Sequence, residues 1–487
     1  LDGRERGPLD GLLLEKGPFG LSPSLKVADD GKTVAWIACS GKPRRCTGQI
    51  FEREPGPSFD EISSLWLSSG PSPRLACLGR RGEAWSLLVD GRETLLPSKR
   101  SFTDPASWLP PIEGFRFSPD GKHDAFVGRA TLAPAGRKAL SDGKEVPLVF
   151  PDWPAVFVDG KPQEPVGIEP FHTQALGLPV FSPDGTRIAW VVVGASLKEG
   201  FFSGKEVTFS SAVVVDGKGS RSWSGDTWKG GSRSEECPDA TSRAVSKTVV
   251  PAILSEILPC WAGVSDPVFS PDGRRVAWTA RTGAKSYVVI RDGEAAAGPA
   301  MATVFGLPVF SSAGRLAWAG RGNGEVFVAI DGEVVYREPD RPQSFVHALT
   351  FSPDGAHLAF FTGTGEVFGK SPRRLVLDGV AGPIETIGPP VYQLGSLLLV
   401  GPGEASTPSK PMTFSDDGAH LAWIRNVPVG KADFSVVLDG RAGPTYTFVD
   451  PVSLRFGPDG RVSYRATRGT QSFDVTQPAA AWPAPSP

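Results

Sequence analysis

The chain has 487 residues, with 58 Gly and 47 Pro beside a hydrophobic share of 40%. So many turn formers around that much apolar content point to an all-β protein with a real core and exclude a disordered chain. Lys and Arg number 51 and Asp and Glu 53, a net charge of −2 that provides no global field for nucleic acid or an anionic membrane, and no apolar run reaches the roughly eighteen residues of a membrane helix.

The chain opens on Leu1-Asp2-Gly3, without a basic and then apolar start, so any signal peptide is expected to have been removed already or never to have been included. A first turn-plus-strand unit runs from Asp30-Gly31 to Trp36. Cys39 and Cys46 follow, flanking the short turn Ser40 to Arg45 as a local disulfide would require. A degenerate unit spans Leu75 to Leu78 and places Cys77 where an aromatic residue stands in the clearer copies. Those copies read FSPDG, then two or three variable residues, then Ala and an aromatic: Phe117 to Gly121 leads to Phe126, and Phe181 to Gly185 leads to Trp190.

A polar, Gly/Ser-rich insertion, about residues 198–262, comes next and holds Trp223, Trp228, Arg233 and Trp261. Cys237 and Cys260 bracket part of it as a second predicted disulfide, which favours an oxidising compartment. Spacing alone does not prove pairing, so five free thiols in the cytosol stay as the alternative. The string returns at Phe269 to Gly273 with Trp278, at Gly314 with Trp318, at Phe351 to Gly355 with Phe360, at Asp417-Gly418 with Trp423 and at Asp459-Gly460 with Tyr464. That makes nine units.

A second string, an apolar triplet closed by Asp-Gly, alternates with the first at Asp90-Gly91, Asp159-Gly160, Asp216-Gly217, Asp331-Gly332, Asp378-Gly379 and Asp439-Gly440. Pro presets φ in S-P-D-G, Asp accepts backbone hydrogen bonds, and Gly takes the positive φ that leads into the next strand, so each copy is a hairpin corner. The strand after it, such as Arg187 to Val192, is apolar on both faces, which a strand needs only when sheets cover both sides. Trp278 and Trp318 lie forty residues apart, room for four short strands and their turns. The expectation is an all-β chain forming a single β-propeller of four-stranded blades, eight or nine in number, over residues 1–476, with a Pro/Ala-rich tail at 477–487. The Leu1-Asp2-Gly3 segment is expected to close the ring by adding an outer strand beside Ser472-Phe473-Asp474, because an open ring leaves sheet edges exposed.

The FSPDG-x-x-x-Ala-aromatic units resemble the TolB-type, WD40-like propeller repeats of bacterial envelope and secreted proteins, from about Leu21 to Asp474. That resemblance implies the fold and a periplasmic or extracellular setting. The function it implies is open, because such repeats serve as protein-binding platforms and as regulatory domains of peptidases. This chain departs from the common form in ending its third strands on a bare Asp-Gly.

Catalytic signatures are sparse. Of 5 His, three (His123, His357, His420) stand two residues after a repeat glycine, where Arg187 and Arg275 stand in sister copies, and read as solvated strand starts. His172 and His347 read as structural. No G-x-S-x-G elbow, P-loop or C-x-x-C pair is present. Asp29-Asp30-Gly31 and Asp416-Asp417-Gly418 lack the spacing of a calcium loop. No catalytic, cofactor or metal residues are assigned. The repeat aromatics read as core and the insertion's Trp223, Trp228, Arg233 and Trp261 as partner contacts. The expected function is a non-catalytic binding or scaffold protein recognising a protein or glycan with face loops. A glycosidase- or lyase-like enzyme with its site in the axial funnel is one alternative, and a structural component of an extracellular assembly is another.

Overall fold

A computed structural model of the chain describes residues 15–17, 20–22, 25–28, 32–40, 45–50, 53–70, 72–96, 112–132, 138–141, 144–147, 150–163, 173–197, 207–220, 223–228, 263–283, 286–364, 371–387, 412–427 and 433–478. All regular structure among them is β, and all pairing is antiparallel. Beside two short hairpins, Glu15–Gly17 with Gly20–Ser22 and Lys138–Ser141 with Lys144–Pro147, the described strands form nine sheets, one for each copy of the repeat. The sixth shows the plan most fully: Thr303–Phe310, Leu316–Gly322, Glu325–Ile330 and Glu333–Pro339 pair in that order. The degenerate unit at Cys77 is a sheet of the same kind, Glu61–Leu67, Leu75–Arg81, Ala84–Val89 and Arg92–Leu96.

The chain divides into two compact units. One is Leu1–Glu235, Ser242–Pro267 and Leu399–Ala405, and holds sheets one to four. The other is Glu236–Thr241, Val268–Leu398 and Ser406–Pro487, and holds sheets five to nine. Within each unit every core cluster joins two sheets that are consecutive in sequence. Leu78 and Leu87 of the second sheet meet Phe115, Phe126 and Phe157 of the third, Val127 and Val156 of the third meet Trp190 and Val214 of the fourth, and Val326 and Tyr336 of the sixth meet Phe345 and Phe360 of the seventh. The same holds for the seventh with the eighth and the eighth with the ninth.

Hence the second strands of the inner sheets are apolar on both faces: the repeat aromatic packs back on the preceding sheet while its neighbours pack forward, whereas Val462–Arg468 of the ninth sheet is apolar on one face and carries Ser463, Arg465 and Thr467 on the other. Trp318 is 2% exposed, against the fifth sheet, and Trp190 and Trp423 are likewise buried. Trp36 departs from the expectation and is only half-buried, because the first sheet has a packed neighbour on one face among the described residues of its unit.

The two corner strings fold as two distinct turns. In S-P-D-G the Gly N–H donates to the Ser carbonyl, as Gly185 does to Ser182 at 2.9 Å, and the corner glycines from Gly121 to Gly418 take φ of 71 to 76°. In the second string Asp sits at φ 49 to 53° and Gly at 72 to 97°, the paired positive values of a type I′ hairpin. Consecutive S-P-D-G corners also lie on one another. A Cβ added at Gly185 would stand 2.5 Å from Asp120 Oδ1, and one at Gly418 would stand 2.6 Å from Asp354 Oδ1, so glycine is required there for space as well as for φ. Three first strands carry a bulge ahead of the corner, with a positive φ at Gly114, Gly306 and Ala348.

Of the calls that depend on other residues, the Leu1-Asp2-Gly3 closing strand, most of the insertion, and the tail beyond residue 478 lie outside the described residues.

Candidate functional site

The titratable residues singled out by the repeat are engaged in its corners. The Asp of each Asp-Gly turn uses one oxygen to accept the N–H of the first residue of the second strand. Seven sheets share this bond, from Leu75 to Asp90, Asp124 to Asp159, Ile188 to Asp216, Val276 to Asp292, Leu316 to Asp331, Leu358 to Asp378 and Leu421 to Asp439, all at 2.8–3.2 Å. The fourth of these turns, Arg291-Asp292-Gly293, escapes the sequence string because Arg291 breaks its apolar triplet.

The second carboxylate oxygen receives the side chain two residues after the corner glycine. His123 Nδ1 lies 2.8 Å from Asp159, His357 Nδ1 2.6 Å from Asp378 and His420 Nδ1 2.7 Å from Asp439, while Arg187 Nε reaches Asp216 at 2.9 Å. His and Arg alternate at this place because each can present an N–H to a carboxylate. The expectation of bare solvated strand starts therefore missed the partner, which sits up to 36 residues away and is found only through strand register.

At the first corner string a Ser–Asp pair does similar work. Ser118 Oγ donates to Asp120 at 2.6 Å and Lys122 N–H donates to the same oxygen, holding that carboxyl down at about 2. Asp184, Asp272, Asp354 and Asp417 are lowered first by the equivalent serine and then by a backbone N–H.

One corner is elaborated. Arg74 spans two sheets, donating from Nε to Asp90 at 2.5 Å and from Nη2 to Asp124 at 3.0 Å, with Nη1 on the Lys122 carbonyl at 2.8 Å. Asp124 stands where sister strands have Ile188, Val276, Leu316, Leu358 and Leu421. Burial raises its carboxyl above the ordinary range, and Arg74 opposes that rise. A second polar seam joins the sixth and seventh sheets: Glu338 accepts from Thr362 Oγ1 and, at 2.9 Å, from Arg374 Nη2, while Arg321 Nη2 donates to the Ser344 carbonyl at 2.7 Å.

His347 is half-buried, packed against Phe345 and Phe361 and beside Arg373, and desolvation and the Arg373 charge hold it down at about 3. Cys39 and Cys46 form a disulfide between directly paired strand positions. Cys77 is a buried free thiol, pushed up to about 12 by burial and so poorly nucleophilic. Of the predicted contact residues, Trp223 and Trp228 begin and end a strand paired to the outer side of Val207–Val215, in register with Ser211 and Val207. Arg233 and Trp261 lie outside the described residues, as do Cys237 and Cys260. Among the described residues no cluster of three metal-ligating side chains occurs, and no helix is long and apolar enough to cross a membrane.

No family model and no curated protein matches the chain. Among solved structures it is similar to a eukaryotic initiation factor at 12% identity, covering 92% of this chain and 97% of that one with a TM-score of 0.34. An oligogalacturonate lyase in complex with manganese matches at 12% identity, covering 75% and 85%, with a TM-score of 0.29. TolB from Acinetobacter baumannii matches at 14% identity, covering 73% and 77%, with a TM-score of 0.22. At these identities and scores no residue role carries over.

Proposed function

We propose that the nine sheets are blades of a single TolB-like, WD40-like β-propeller, acting in the periplasm or outside the cell as a non-catalytic binding or scaffold protein. The observation behind this reading is the stacking of consecutive sheets through their repeat aromatics, with Phe126 on the second sheet, Trp190 on the third and Phe360 on the sixth. Ring closure completes it: the outermost described strand of the ninth sheet, Gln471–Gln477, is paired on one side only, and the segment from Leu1 is assigned to the other. The Cys39–Cys46 disulfide favours an oxidising compartment.

Binding is preferred to catalysis because the side chains that catalysis would need are held by the scaffold. His123, His357 and His420 are paired to corner carboxylates, and the half-buried His347 is stacked on Phe361. Recognition of a protein or glycan is assigned to the insertion around Trp223 and Trp228, whose strand widens the fourth sheet beyond the common plan. The test is a pull-down from native envelope or culture fluid with the intact chain and with a variant lacking residues 220–260. A partner lost only on deletion supports the assignment, and equal recovery moves recognition to the ring.

A further inference from the structure

Asparagine is almost absent from the chain: Asn323 and Asn426 are the only two in 487 residues. One of them falls within the repeated turn chemistry. Among the described residues eight hairpin tips pair a positive-φ residue with a positive-φ glycine. Seven are the Asp-Gly turns. The eighth is Asn323-Gly324, at φ 53° and 78°, which joins Leu316–Gly322 to Glu325–Ile330 in the sixth sheet. Asp and Asn suit the first place of a type I′ turn equally, so the difference between them lies in side-chain chemistry.

The two kinds of turn also differ in what holds the side chain. In the Asp-Gly turns one carboxylate oxygen accepts the N–H of the second strand, at 2.8–3.2 Å. Asn323 lies at the opposite end of its sheet, makes no hydrogen bond among the described residues, and is exposed together with Gly324. The Gly324 N–H donates to no described residue, and a Cβ built there would meet no atom within 4 Å. An unrestrained, uncharged amide therefore stands beside an unhindered, unbonded backbone nitrogen. An ionised carboxylate is a poor electrophile and resists that nitrogen, whereas a carboxamide carbon accepts it and releases ammonia, the reaction that makes Asn a labile residue.

We infer that Asn323-Gly324 is a self-modification site. The Gly324 nitrogen gives its proton to hydroxide and bonds to Asn323 Cγ, the side-chain nitrogen takes a proton and leaves as ammonia, and water then opens the five-membered imide. Hydroxide and water are the only co-reactants. Opening at one carbonyl gives aspartate at position 323. Opening at the other gives isoaspartate, whose main chain passes through Cβ and Cγ and is one atom longer. The tip is tied to the next sheet: the Gly324 carbonyl accepts the Asp340 N–H at 2.9 Å, and Arg321 holds the Asp340 carboxylate at 3.1 Å and the Ser344 carbonyl at 2.7 Å. A two-residue hairpin has no slack for an added atom, so isoaspartate displaces Gly324 and loosens the seam between the sixth and seventh sheets, while aspartate leaves it in place. The site is independent of the insertion and of the macromolecular recognition assigned to it.

The test follows the full chain, folded and in urea, at mildly alkaline pH, by release of ammonia and by peptide mapping that separates aspartate from isoaspartate. In the folded chain the peptide holding Asn323 converts, with isoaspartate as the main product. Asn426, paired with Phe434 and followed by the β-branched Val427, keeps its amide. The converted chain, separated by its added negative charge, melts lower than the fresh chain, and the variant N323D, which has the charge without the longer main chain, melts with the fresh chain. The inference is overturned if Asn323 keeps its amide in the folded chain over a period that converts it in urea, if Asn426 converts as fast, or if the converted chain melts as N323D does.

Discussion

Trp318 in the sixth sheet and Trp36 in the first occupy the same place in the same string, and so do Gly185 in the fourth sheet and Gly460 in the ninth. Their surroundings differ. Trp318 is clamped by the fifth sheet, with its ring against the backbone of Gly298, whereas Trp36 is half-buried. Gly185 carries Asp120 of the preceding corner against its α-carbon, whereas a Cβ at Gly460 would meet nothing within 4 Å. The string fixes backbone conformation, since both glycines share a φ near 75°, at 76° and 72°. The weight that each copy bears comes from the neighbouring sheet.

The sharpest test of that difference is truncation of the aromatics. Trp318→Ala is expected to cost about 3–5 kcal/mol in chemical denaturation, the range for a large buried aromatic, and Trp36→Ala clearly less. Equal costs would break the comparison. Trp318→Phe should cost under about 1.5 kcal/mol, because the indole Nε1 makes no hydrogen bond, and Phe126 and Phe360 fill the same place in sister sheets.

Next in size are the corner glycines. Gly460→Ala pays for the left-handed backbone alone, about 1 kcal/mol, while Gly185→Ala adds the clash with Asp120, for about 2–4 kcal/mol in all. In the background Asp120→Ala the two penalties should converge, a coupling that a double-mutant cycle measures.

Asp120 also carries a pH signature. Its folded value, about 2, lies below the ordinary carboxylate value, so its contribution to stability is present above about pH 4 and is lost as pH falls through about 2. Acid unfolding of Asp120→Asn should lack that component, and an unchanged acid limb would show that the Ser118 bond does not hold the corner.

The smallest effect concerns a bulge. Ala348 adopts φ 60° where the sister strand has Gly306 at 71° with open space around it. Ala348→Gly is expected to stabilise by about 0.5–1 kcal/mol, the relief of a left-handed alanine less the extra freedom of glycine in the unfolded chain. A thermal melt that falls on this substitution would mean that the Ala348 methyl does packing work in the seventh sheet.

The architecture was legible because turn chemistry is local. S-P-D-G and Asp-Gly encode their own φ values, and an apolar strand of both parities announces cover on both sides, so all nine units, the weak one at Cys77 included, fall on sheets. What depended on register was not legible. No spacing rule connects His123 to Asp159, and the partner of Arg74 in the next sheet, Asp124, reads as an oddity until the sheets are stacked. The Cys39–Cys46 pair was legible from a short turn, whereas Arg233, Trp261, Cys237 and Cys260 lie outside the described residues.

The Asp-Gly carboxylate binds the start of the second strand regardless of how much chain intervenes: the same bond closes 15 residues at Asp90, 20 at Asp378, 28 at Asp216 and 35 at Asp159. Each doubling of a flexible loop adds only about 0.6 kcal/mol of closure entropy. The tips joining second and third strands are therefore sockets, into which segments of different length can be exchanged while the strands on either side keep their alignment.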